Sequence, residues 1–331
     1  MGFFVNDQSQ ICMFHESGLY ATVSGTAVWP GLVQSHDIDT GINKEKLRYC
    51  GTSTRNVGRF VDTVEDHTGT LSMYPQDWRF LFFALGSVVD GGSPSPYTHV
   101  ISEQNSGVLN GYTSGTLIPW VSFSLEDSQK VGITGANFIR TMNGCVADEL
   151  TISASEGDRF VSVEVPYIAK SCIYTSGAPS TVTEVTTAPY LWQDCKVYIP
   201  SGTLVQGLTG FSWHMANGMV PKHYGTGSAT VEAVVPSTRD YDFTLDIDPD
   251  STQRKAFYNQ YFRGGSEFNC MLHIGKGTGS NDLYLVMSGC QIDDMDDPTS
   301  NDGAVCTESI TVIPKTASAA VDDQVLKYAA W

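Results

Sequence analysis

The chain has 331 residues, with 19 Lys plus Arg against 36 Asp plus Glu and a formal net charge of −17. Charged residues make up 17%, against about 25% in an ordinary soluble protein, so the imbalance is a deficit of cations and not a surplus of acid. That sign excludes affinity won by neutralising phosphates, and with it sequence-independent nucleic-acid binding; the length allows two domains, or one duplicated and fused.

In chain order, the opening MGFFVNDQSQ has neither a basic n-region nor an apolar h-region, and the longest apolar stretch, Phe80 to Val89, is too short to span a bilayer. Nothing here reads as secreted or membrane-bound. Tyr74-Pro75 opens a predicted helix with Trp78, Leu81, Phe82 and Leu85 on one face, closed by Gly86. Asp90 to Trp120, rich in Gly, Ser, Pro and Asn, reads as a long loop or projecting hairpin. FVSVEVPYI (160–168), ATVEAVV (229–235), YDFTLDI (241–247) and DLYLVM (282–287) alternate with period two and read as strands. Residues 171–204 are part linker and part strand. Asp248 and Pro249 open a second helix with Phe257, Tyr258, Tyr261 and Phe262 as its apolar stripe, stopped by Gly264. The last residues, 316–331, are weakly patterned and look like an arm, and 1–31 at the other end reads as an arm and a first strand.

The chain repeats itself. Shifted by 174 positions (51 onto 225), Asn43, Gly51, Thr52, Val61, Asp66, Thr70, Leu71, Pro75 and Phe83 fall on identical residues. Shifted by 145 (145 onto 290), Phe123, Met142, Gly144, Cys145 and Asp148 do the same. Copy one runs over 32–170 and copy two over 205–315, the second lacking 29 residues that the first carries in the 90–120 loop. The predicted fold is mainly β: two tandem antiparallel β-sandwich or partly open barrel units, each with one flanking helix.

No catalytic, cofactor or metal set emerges. Gly111-Tyr112-Thr113-Ser114-Gly115 has its serine one place late for a nucleophile elbow. His214 and His223 flank an Asn-Gly turn with no carboxylate nearby in sequence to orient them, and read as surface or interface residues. Asp246, Asp248 and Asp250 have calcium-loop spacing, but Ser251 and Phe257 stand where Gly and Glu are needed; solvent-facing residues followed by a helix cap is the better reading. Asp293, Asp294, Asp296 and Asp297 form a solvated acidic turn. Gly275 to Gly279 precedes a strand, not a helix, and so is a hairpin turn and not a phosphate loop. The eight cysteines, at 12, 50, 145, 172, 195, 270, 290 and 306, read as mostly buried thiols, with Cys172 and Cys195 a candidate pair.

The succession VQSHDIDTGINKEKLRYCGTSTR, TGTLSMYPQDWRFLFFALGS, MNGCVADELTISASEGDRFVSVEVPYIAKS, GFSWHMANGMVPKHYGTGS and PSTRDYDFTLDIDPDSTQRKAFYNQYFRGG resembles the major tail tube proteins of tailed bacteriophages and related archaeal viruses, over about 32–315. The resemblance implies a structural, non-enzymatic virion protein, made and assembled in the host cytoplasm, whose stacked rings enclose an electronegative lumen that conducts double-stranded DNA. It implies trimeric rings with pseudo-sixfold symmetry, hexamers being the alternative, and contacts with tape measure, tail terminator and distal tail proteins, with no membrane and no cofactor. Asp148, Glu149, Glu164 and Asp246 are candidates for the lumen. Alternatives are the inner tube of a contractile injection system and a secreted β-rich binding module or adhesin.

Overall fold

The computed structural model describes residues 4–16, 26–47, 57, 59–91, 97–104, 122–131, 137–199, 203–225, 229–248, 257–276, 281–295 and 307–323. The chain is mainly β, its strands antiparallel throughout.

The first half is a sandwich. One layer has the order β1 (Phe4–His15), β6 (Phe123–Val131), β7 (Asn137–Ala147), β10 (Ser171–Gly177). The other runs β2 (Leu32–Leu47), β3 (Arg59–Tyr74), β9 (Ser162–Ala169), β8 (Glu149–Ser155). The end of β7 crosses to pair with β9 and ties the layers together. In the second half, β11 (Cys195–Ile199), β17 (Phe268–Ile274), β18 (Asp282–Met295) and β20 (Thr316–Asp323) form one layer. There β13 (Leu208–Ala216), β16 (Asp240–Ile247) and β19 (Glu308–Ile313) form the other, and the end of β18 pairs with β19. β12 (Thr203–Leu204) extends β11, while β14 (Met219–Lys222) and β15 (Ala233–Pro236) make a separate ribbon. Of ATVEAVV, only Ala233 to Val235 is strand.

The pairings of the two halves coincide residue for residue. Leu71 faces Val165 as Leu245 faces Ile310; Leu125 faces Met142 as Cys270 faces Met287; Met142 faces Cys172 as Met287 faces Ala317. Irregularities repeat as well, at Val33/Ser35 and Leu208/Gly210, and at Phe123/Leu125 and Phe268/Cys270. β20 therefore occupies the place that β10 has in the first half. The C-terminal stretch, expected as an arm, instead builds 316–323 into the sheet; 324–331 lie outside the described residues. Its weak pattern has a simple cause, because Ala317, Ala319 and Val321 are the buried alternation and two of the three are only alanine.

The correspondence is not complete: β8 has no counterpart among the described residues of the second half, where 296–306 lie outside them, the β14–β15 ribbon has no separate counterpart in the first, and the segments around the helices differ. Part of the segment expected as a long loop or projecting hairpin does form a hairpin, of β4 (Gly86–Gly91) and β5 (Tyr97–Glu103), but β5 packs back to pair with β20 of the second half; 105–121 lie outside the described residues. The predicted first helix is α1 (Phe80–Leu85), ended by Gly86 at φ 98°. All six of its residues are buried, not one face alone, because the hairpin covers one side and the second half reaches the other, Asn217 Nδ2 donating to the Ala84 carbonyl. Of the second predicted helix, 249–256 lie outside the described residues; its end, Phe257–Phe262, is a π-helix that buries Phe257 and leaves Tyr258 and Phe262 exposed.

The main hydrophobic core runs through both halves, with Trp78, Phe83, Tyr167, Trp213 and Phe243 among its fully enclosed side chains, and a smaller cluster of Val146, Ile168, Met219, Val231 and Val234 stands beside it. Gly69 is fixed by packing: the Tyr167 ring of the neighbouring strand lies over it, and a Cβ there would sit 2.3 Å from the Tyr167 hydroxyl oxygen and 2.8 Å from the Asp37 carbonyl. Gly69→Ala is expected to destabilise the chain by about 2 kcal/mol through overpacking, read as a lowered midpoint in urea unfolding.

Candidate functional site

The layers containing β8 and β13 join. These strands pair antiparallel from Gly210 with Ser155 to Ala216 with Glu149, so one layer runs unbroken through β2, β3, β9, β8, β13, β16 and β19. Strand alternation gives it one core face and one open face. In β8, Leu150, Ile152 and Ala154 are buried while Glu149, Thr151, Ser153 and Ser155 point away; in β16, Tyr241, Phe243, Leu245 and Ile247 are buried while Asp240, Asp242, Thr244 and Asp246 point away.

Registered across the strands, the open face forms rows. One reads Ser35, Ser72, Glu164, Thr151, His214, Asp242. The next reads Ser162, Ser153, Ser212, Thr244, Thr311, Asp294. A third contains Ser155, Gly210, Asp246 and Ser309. Asp37, Asp39, Glu149 and Asp240 share the face, and strands β8, β9, β13, β16 and β19 contain no Lys or Arg. It is a surface of small hydroxyls and carboxylates. His214 alone can carry positive charge among those five strands, and it sits 3.3 Å from Glu149 and 3.8 Å from Asp242.

Of the four acidic residues singled out from sequence, Glu149, Glu164 and Asp246 lie on this face. Asp148 does not: its Oδ1 accepts the Met219 N–H at 2.7 Å, and burial raises its carboxyl above the usual range, with that N–H opposing and Glu149 adding to the rise. Sequence reasoning missed Asp37, Asp39, Asp240, Asp242 and Asp294. The alternation of YDFTLDI carried the signal for Asp242, but only pairing partners show which face is open.

The joint between halves is closed by polar clasps. Asn217 donates its N–H to the Asp148 carbonyl at 2.7 Å and its Nδ2 to the Ala84 and Ala147 carbonyls, while its Oδ1 accepts from Arg239 Nε. Glu103 Oε1 at the end of β5 accepts from the Tyr241 hydroxyl and the Ala317 N–H. Trp78 Nε1 and the Tyr190 hydroxyl both donate to the Asn281 carbonyl. Each clasp satisfies groups that the joint would otherwise bury unpaired.

Other sequence candidates fall elsewhere. Contrary to expectation, both histidines near the Asn-Gly turn meet carboxylates, His214 as above and His223 with Asp66 at 2.9 Å, from strands too distant in sequence to be foreseen. Asp248 accepts from Thr307 Oγ1, and Asp250 lies outside the described residues. Asp293 and Asp294 end β18, while Asp296 and Asp297 lie outside the described residues. Gly275 begins the turn from β17 to β18, whose Lys276 N–H is held by Asp282. Cys172 and Cys195 are free thiols, not a pair; burial, with Asp194 adding, pushes Cys195 up to about 12.

The first half also holds a polar cluster that sequence did not foretell. Tyr167 and His36 Nε2 are hydrogen-bonded at 2.7 Å, and Asp127 is paired with Arg140 beside them. Burial works to raise the Asp127 carboxyl, but His36 and Arg140 outweigh it and hold it below the ordinary range. At the matching positions the second half has Val312, Phe211, Leu272 and Leu285.

Against known families, the sequence profile described as "Phage tail tube protein" matches residues 51–314. No curated protein matches the chain.

Proposed function

Because the chain belongs to the phage tail tube protein family, a structural component of the virion tail, we propose that it is a tandem of two tube units, three copies of which close a ring. The first unit is built from β1 to β10 and the second from β11 to β20, the boundaries that the matching pairings suggest. One observation carries this reading: β8 of the first half pairs with β13 of the second, so the chain already contains one complete side-by-side joint between units. Strand β2, the counterpart of β13, pairs with β3 alone among the described strands, and stands at the far edge of the same layer. An unpaired strand edge seeks another chain, and repeating the internal joint between copies caps it. Rotation at each joint then closes a cyclic, head-to-tail ring.

In such a ring the open face of the shared layer lines the lumen. Duplex DNA binds proteins by releasing the counterions that Lys and Arg displace from phosphates. A wall of hydroxyls and carboxylates offers no such exchange and repels at short range, so the genome slides without sticking. Native mass spectrometry of the purified, assembled protein tests the stoichiometry: multiples of three chains are expected, and a chain that stays monomeric at high concentration refutes the ring.

A further inference from the structure

The internal joint also shows what each unit presents to its neighbour. At that joint α1 of the first half is wholly buried, with Asn217 bonded to Ala84 and to Ala147, and with Asp148 receiving the Asn217 and Met219 N–H groups. Carried to the second half by the matching pairings, Ala84, Ala147 and Asp148 become Tyr258, Ile292 and Asp293. Here Ile292 stays buried within its own half, while nothing described covers Tyr258 or Asp293. Tyr258 is 45% and Phe262 36% exposed, their rings 6.0 Å apart, and Asp293 is exposed. An aromatic pair on a helix whose counterpart is enclosed is a face without its partner.

The complementary surface lies at the other end of the molecule. Strand pairing sets Ile42 of β2 over Asn217, and the sequence repeat sets Asn43 there, one residue apart. Ile42 is 48% exposed, Asn43 donates its Nδ2 to Asp66 and accepts from Thr63 Oγ1 on its carbonyl, both at the surface, and Lys44 follows with its ammonium 3.6 Å from Asp62. The patch thus offers an apolar side chain, an amide donor and a cation to an aromatic pair and a carboxylate.

We infer that Ile42, Asn43 and Lys44 of one copy dock on Tyr258, Phe262 and Asp293 of a second copy, reproducing between chains the clasp that Asn217 makes within one. The inference rests on the ring proposed above and names its contact. Ile42 enters against the two rings, the Asn43 amide binds the carbonyls at the end of β18, and Asp293 takes the neighbouring N–H with Lys44 beside it. Apolar anchors at the centre of a desolvated patch carry most of such an interface.

Two double variants test it, Ile42→Cys with Asp293→Cys and Asn43→Cys with Asp293→Cys, covering the one-residue choice of register. Cα atoms of a disulfide pair lie about 4.4–6.8 Å apart. On mild oxidation of assembled protein, one pair is expected to give covalently linked two- and three-chain species that the single-cysteine variants do not. Annuli without linkage from either pair overturn this contact and leave the ring standing; failure of the unaltered chain to form annuli overturns the ring and the contact together. Should the cysteine variants misfold, Tyr258→Lys, at an exposed position, is expected to stay folded by circular dichroism yet lose about tenfold in assembly. Undiminished assembly would also overturn the contact.

Discussion

Lysine introduced together at Ser153, Ser212 and Thr244 is expected to leave the protein folded and assembling while turning its tubes into DNA-binding ones. The three residues lie in one cross-strand row, all on the open face, and their side chains fill no part of the core. Three cations per chain, against a background of −17, are placed where a duplex would pass. Each phosphate so neutralised should contribute a slope of about −0.9 in log affinity against log salt. The measurement is duplex DNA retained by preformed tubes over a salt series. Negligible binding is expected for the unaltered chain, and salt-sensitive binding for the triple variant, with infectivity lost in virions built from it. Equal, weak retention by both proteins would show that this face does not meet DNA.

The second large effect is expected at Trp78. Its side chain is fully buried, its ring centroid is 4.9 Å from that of Tyr190, and its Nε1 donates to the Asn281 carbonyl across the joint at 3.0 Å. Trp78→Ala removes both the packing and the cross-joint bond, and should cost about 4 kcal/mol. For a chain of this length that is a fall in Tm of about 6 °C. Trp78→Phe keeps most of the volume and loses the bond, at a cost of about 1 kcal/mol. Differential scanning calorimetry separates the two; because the core is continuous, a single transition should fall as a whole. Loss of only a minor, separate transition would show that the halves unfold independently.

How much was legible in the residues follows from which forces act locally. Strands such as YDFTLDI and DLYLVM declared themselves because alternation is a local signal, and Gly86 ended its helix where it was expected. The strand 316–323 did not, since its buried positions are filled mainly by alanine and its place is set by β18 and β5, both far off in sequence. The hairpin over 86–103 was half visible: its turn residues were plain, its docking on the other half was not. On the open face the acidic residues could be counted from sequence, but not sorted. Asp148 and Glu149 are adjacent, yet one is held in the joint and the other lies on the face. The absence of Lys and Arg from five strands is the part of the site that composition already foreshadowed, as the overall deficit of cations. The contacts of His214 and His223 were invisible because their carboxylates arrive from other strands.

A ring of this kind requires the joint between β8 and β13 to be repeated from copy to copy around a lumen. A cryo-electron microscopy reconstruction of the assembled tube tests that most directly. It should show annuli of three chains and six similar lobes, with the layer carrying Glu164, Ser153, Ser212 and Asp242 facing a hollow centre and β2 paired to the next chain. Annuli in which that layer faces outward, or in which β2 has no strand partner, would contradict it.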